Sequence, residues 1–110
     1  MKCLGSKVRR MIKNINIENR VNKYTKESET YITMTMDIDG REYTGEAKMI
    51  WREKQTENDY DAHWATLIYV PFQNIREENL MIFEKDRLDD AIEKAKMYLE
   101  YFLSDCMICR

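Results

Sequence analysis

From Thr30 to Ile50 the chain reads TYITMTMDIDGREYTGEAKMI, with apolar and polar positions in alternation. Ile32, Met34, Met36 and Ile38 are separated by Tyr31, Thr33, Thr35 and Asp37, the period of two that sets one face of a strand on a core. Asp39-Gly40 follows, and both residues tolerate the positive φ that a two-residue type I′ turn requires. Pairing outward from that turn sets Ile38 against Arg41, Met36 against Tyr43, Met34 against Gly45 and Ile32 against Ala47 on one face. Asp37 with Glu42, Thr35 with Thr44, Thr33 with Glu46 and Tyr31 with Lys48 fall on the other. A slip of one residue would turn one apolar set to solvent, so the pattern specifies the register. Gly45 and Ala47 leave a shallow trough in the apolar face, and the segment shaped to fill it is a helix near the C-terminus.

That helix is legible as a stripe of Leu88, Ala91, Ile92, Ala95, Leu99, Phe102 and Leu103 at i, i+3, i+4 and i+7. Asp86, with Asp89 three residues on, is expected to cap its start. Upstream, Ala62 to Phe72 reads as a strand apolar on both sides. Trp64, Thr66, Ile68, Val70 and Phe72 lie on one side, and His63, Ala65, Leu67 and Tyr69 on the other. Such a strand needs cover on both faces, from an N-terminal helix, a second copy or another protein. Pro71 keeps it near an edge or an end. REKQTENDYD reads as a loop, NIREEN as a connector, and Leu80 to Phe83 as a further short strand.

At the N-terminus, Leu4, Val8, Met11, Ile12 and Ile15 recur at helical spacing behind a potential Ser6 cap, which predicts a short helix over about 6 to 14. Ile15, Ile17 and Val21 then predict a strand over about 15 to 24. The fold class that follows is α+β: an antiparallel β-meander of three to five strands, with a C-terminal α-helix packed across one face and a short basic N-terminal helix or strand.

Composition narrows the class further. A chain of 110 residues is the size of one domain. With 44% hydrophobic and 35% charged residues but one Pro and three Gly, it reads as regular structure rather than a disordered tail. The absence of any long apolar run argues against a membrane partner. Three cysteines without disulfide-framework spacing fit a reducing, cytoplasmic setting.

The net charge of -2 conceals an asymmetry. Residues 1 to 26 carry Lys2, Lys7, Arg9, Arg10, Lys13, Arg20, Lys23 and Lys26 against the single acid Glu18, and the rest of the chain is acidic. A basic segment packed beside acidic strands needs no partner, whereas Lys7, Arg9, Arg10, Lys13, Arg20, Lys23 and Lys26 as one patch would suit nucleic acid.

RLDDAIEKAKMYLEYFLSD resembles the helix that follows the antiparallel strands of HicB-type antitoxins, small α+β proteins that neutralise a toxin by binding it. The proline-glycine motif that precedes the helix in that family is absent from VPFQNIREENLMIFEK, and no functional residue is carried over. A meander followed by a helix is also similar to single-stranded nucleic-acid-binding sheets of the PUR type. Those present basic and aromatic strand faces, whereas the exposed hairpin face here is rich in Thr, Asp and Glu.

Four groups of residues could carry chemistry or recognition. Cys3, His63, Cys106 and Cys109 make up a Cys₃His inventory for zinc, but Cys106-Met107-Ile108-Cys109 lacks a second closely spaced ligand pair, so neither a metal nor another cofactor is expected. Asp59, Asp61 and His63 would share one side of a strand and could move a proton, yet no nucleophile or phosphate loop accompanies them. Asp37, Asp39 and Glu42 crowd the hairpin tip as an acidic prong suited to a basic groove. Lys94, Met97 and Tyr101 form an outer ridge on the helix, and Met suits adaptable binding surfaces.

The expectation is a non-enzymatic protein-binding module that occupies a larger protein partner, with a homo-oligomer as a further possibility and nucleic-acid binding through the basic segment as the alternative. The Asn-, Lys-, Ile- and Glu-rich composition is what AT-rich genomes and mobile elements produce. An inhibitor encoded by a phage or mobile element, anti-CRISPR, otherwise anti-defence or antitoxin-like, is the concrete form.

Overall fold

The computed structural model describes residues 9 to 108, with side chains through residue 105. Five strands run in sequence order through one antiparallel sheet: β1 (Arg10–Val21), β2 (Ser28–Ile38), β3 (Arg41–Arg52), β4 (His63–Tyr69) and β5 (Arg76–Asn79). One helix, α1 (Leu88–Ile108), crosses a face of the sheet and packs on β2, β3 and β4. The β2–β3 hairpin has the register its alternation demands, from Ile38 opposite Arg41 to Tyr31 opposite Lys48. Asp39 and Gly40 have φ of 53° and 84°, as a type I′ turn requires.

The core lies between that hairpin and α1. Ile32, Met34, Met36 and Ile38 of β2 meet Ala91, Ala95, Leu99, Phe102 and Leu103 of α1, all buried, with Ile68 and Val70 of β4 beside them. Leu88 and Ile92 pack against this cluster, which completes the expected helical stripe. The helix begins at Leu88 because the Arg87 carbonyl accepts its first bond, from the Ala91 N–H at 3.1 Å. Arg87 also pairs with Asp90 at 2.9 Å, and among the described residues Asp86 makes no capping bond, contrary to expectation.

Two further expectations are corrected. Residues 10 to 14 are strand rather than helix. The register of β1 on β2 shifts between Ile12 and Asn14, so Lys13 is the extra residue of a β-bulge. That bulge sets Ile12 and Ile15 three apart yet opposite Met36 and Met34, and so mimics a helical step. The part of the expected helix before residue 9 lies outside the described residues. NIREEN, in turn, is no connector: Arg76–Asn79 is β5. After it, Leu80 donates to the Trp64 carbonyl at 3.1 Å and the Ile82 carbonyl accepts from Trp64 at 2.9 Å. Met81 between them has a φ of 57°, and Leu80 and Ile82 are both buried in the core.

β4 is shorter than expected, ending at Tyr69 before Pro71. Its core face is covered by α1. On its second face Arg52 of β3 reaches over β4 to Glu77 of β5 with two bonds of 2.9 and 2.6 Å, across the small, fully buried Ala65. No helix among the described residues is long and apolar enough to cross a membrane.

Candidate protein-binding site

Lys94, Met97, Tyr98 and Tyr101 recur at i, i+3, i+4 and i+7, so α1 carries a second stripe that turns away from the sheet. Met97 and Tyr101 are 69% and 63% exposed. Tyr98 and Phe102 stack, with centroids 6.3 Å apart and planes 16° from parallel, and Tyr101 meets Phe102 edge-on at 5.3 Å. Arg76 of β5 lies over the Phe102 ring, its guanidinium carbon 4.5 Å from the centroid. Lys94 donates to the Leu80 carbonyl at 3.1 Å and ties the helix to the segment after β5. Lys94, Met97, Tyr98, Tyr101 and Phe102 line a groove of about 370 Å³ that contains no carboxylate. Sequence spacing finds Lys94, Met97 and Tyr101. Tyr98 was legible from the same spacing, but Arg76 was not, because it arrives from the unexpected β5.

The hairpin tip is a mixed-charge corner. Asp37 Oδ1 accepts the Gly40 N–H at 2.9 Å, and Asp39 Oδ1 accepts the Arg9 N–H at 3.1 Å. The Asp39 N–H donates in turn to the Arg9 carbonyl at 3.0 Å, and Lys13 stands 3.9 Å from Glu42. The acidic and basic candidates therefore meet at one corner, where Arg9, Arg10, Lys13, Asp37 and Asp39 line a shared depression. Further along β1, Arg20 pairs with Glu18 and, at 3.8 Å, with Glu46, and it stacks over Tyr31 with its guanidinium carbon 4.1 Å from the ring centroid. Its hydrogen bond to Glu18 raises its pKa. Lys23 and Lys26 sit in the β1–β2 turn, and Lys7 lies outside the described residues.

Both ring nitrogens of His63 have partners. Its Nδ1 donates to the Asp61 carbonyl at 2.8 Å, and the Asn79 side-chain amide occupies Nε2 at 2.9 Å. Tyr60 and Phe83 flank the ring edge-on, with centroids 5.8 and 6.2 Å away. Asp59 does not share a strand with it: its Oδ2 accepts the Gln55 and Thr56 N–H groups at 3.1 and 3.0 Å and closes a turn in the loop. Asp61 points elsewhere, to Lys54 at 3.7 Å. The expected acid and imidazole group is therefore dispersed. Among the described residues no group of three or more His, Cys, Asp or Glu could hold a metal ion. Cys3 and Cys109 lie outside the described residues, as does the Cys106 side chain.

Comparison with protein-family models, curated proteins and solved structures finds no match.

Proposed function

We propose that this chain is a protein-binding module that acts by occupying a larger protein, and that the outer ridge of α1 is its contact. The observation that supports this is the composition of the groove at Met97, Tyr98, Tyr101 and Phe102, rimmed by Arg76 and Lys94. Tyr, Met, Phe and Arg are enriched in interface cores, acidic residues are depleted there, and clusters of rigid aromatics with an Arg dominate binding energy. Met97 and Tyr101 contribute little to the core, so their exposure is not explained by folding. The partner side chain that fits is apolar, with a carboxylate or carbonyl placed near Arg76 and Lys94. The reading needs no chemistry from the chain itself. An inhibitor carried by a phage or mobile element, directed against a host defence protein or a toxin, is the concrete form we favour.

The experiment is to express the tagged chain in its natural host and to quantify the co-purifying protein for the parent and for Met97→Glu/Tyr101→Glu. The expected result is loss of that partner by at least about tenfold with an unchanged thermal melt. Retention of the partner at parental affinity would show that the ridge is not the contact.

A further inference from the structure

A different surface carries a second inference, independent of the α1 ridge. The sheet is five strands wide, roughly 19 Å between its outer strands at about 4.8 Å per step, and one helix of about 10 Å covers only part of it. α1 packs chiefly on β2, β3 and β4, and every residue of β1 is exposed. Yet most β1 residues on the helix side are apolar, Ile12, Ile15, Ile17 and Val21, with Arg10 and Asn19 the polar exceptions. Ile12, Ile15 and Ile17 lie opposite Met36, Met34 and Ile32 and continue the core rows outward. Ile15, Ile17 and Val21 are 38%, 47% and 66% exposed.

The backbone adds to this. In a two-residue hairpin the residues flanking the turn form a hydrogen-bonded pair, so Ile38 and the alternate residues back to Thr30 face β3, and Asp37 to Glu29 face β1. The exchange of bonds between Asp39 and Arg9 agrees with this alternation. The same alternation turns the peptide groups of Ile15, Ile17, Asn19 and Val21 outward, to an edge that no strand covers among the described residues. A long edge without Pro, backed by an apolar row, is a template for another strand. Its charge selects the occupant. Residues 9 to 26 hold six Lys or Arg against Glu18 alone, and Arg10, Lys23 and Lys26 form no ion pair among the described residues. A second copy would set one basic edge against another.

We propose that β1 accepts an acidic, extended segment of a partner protein as a sixth strand. Its backbone pairs with Ile15, Ile17, Asn19 and Val21, its alternate apolar side chains cover the isoleucine row, and carboxylates toward its two ends meet the basic ends of the edge, Arg10 at one and Lys23 and Lys26 of the β1–β2 turn at the other. The test uses the full chain, isotopically labelled, with a capped eleven-residue peptide alternating Ile and Glu and a counterpart with Lys for Glu. The acidic peptide should shift and slow the exchange of the amides of Ile15, Ile17, Asn19 and Val21. It should bind at least about tenfold tighter than the Lys peptide at low salt and lose affinity as salt rises. Ile15→Lys/Ile17→Lys, at exposed positions, should melt as the parent does and fail to bind. Met97→Glu/Tyr101→Glu should bind the peptide normally, which separates this inference from the ridge. Four results would overturn it: no binding, equal binding of the Lys peptide, a dimer of the free chain that already protects these amides, or an oligothymidylate that engages them more tightly than the acidic peptide.

Discussion

Leu99 of α1 lies directly on Gly45 of β3: a β-carbon built at Gly45 would stand 2.9 Å from Leu99 Cδ1, with Val70 Cγ1 at 3.2 Å and the Tyr69 carbonyl oxygen at 3.3 Å. The missing side chain is what lets the helix settle into the hairpin trough. Gly45→Ala should therefore destabilise the fold by about 1–3 kcal/mol, despite the gain in strand propensity, because Leu99 is fully buried with little room to move. Leu99→Ala should cost about 2–5 kcal/mol alone. The double variant should cost less than the sum, since the added methyl enters space the leucine vacated. Denaturant melts of the four proteins check this, and strict additivity would show that the two residues do not compete for the same volume.

Lys48 and Glu29 pair at 2.6 Å on the open face of the sheet, with side chains 23% and 20% exposed. The hydrogen bond to Lys48 holds the Glu29 carboxyl below its ordinary value of 4.5, and the bond to Glu29 raises Lys48 above its ordinary 10.5. A lowered carboxylate pKa stabilises the fold above 4.5 and loses that contribution as pH falls through the folded value. A raised lysine pKa stabilises it below 10.5 and loses that contribution as pH rises through its folded value. Glu29→Gln should thus lower stability by about 1 kcal/mol at neutral pH, with the deficit vanishing in acid. A deficit that persists once Glu29 is fully protonated in the folded protein would point to packing rather than charge.

His63 joins the end of the 53–62 loop to β5 through Asp61 and Asn79. His63→Ala should cost about 1–3 kcal/mol, because it removes both bonds and leaves the Asn79 amide without its partner. It should also raise amide exchange in the loop. Zinc titration of the parent is expected to leave the His63 ring resonances unmoved, and a specific shift would show that the ring can leave its two partners.

On the α1 ridge, Met97→Ala and Tyr101→Ala should each change stability by no more than about 0.5 kcal/mol, as exposed substitutions do. Phe102→Ala, which removes a buried ring stacked on Tyr98 and capped by Arg76, should cost about 3–5 kcal/mol. Thermal melts check both, and a large loss at Met97 would place it in the core instead of on a contact surface.

The local rules were all present in the sequence where one neighbour decides them. The β2–β3 register follows from Asp39-Gly40 and the alternation of four apolar residues, and the α1 stripe follows from 3.6-residue spacing. Even the trough at Gly45 and Ala47 announced that a helix would lie across it. What required the tertiary structure was everything set by a partner distant in the chain. β5 reads as a polar connector because Glu77 is matched by Arg52, twenty-five residues away, and Arg76 by the Phe102 ring. The bulge at Lys13 passes for a helical turn, since spacing alone does not distinguish an inserted strand residue from a step along a helix. The dispersal of Asp59, Asp61 and His63, and the meeting of acidic tip and basic edge, depend on which groups compete for each carboxylate. Periodicity encodes which face a residue takes; only the assembled sheet decides what stands on that face, and which strand the helix leaves bare.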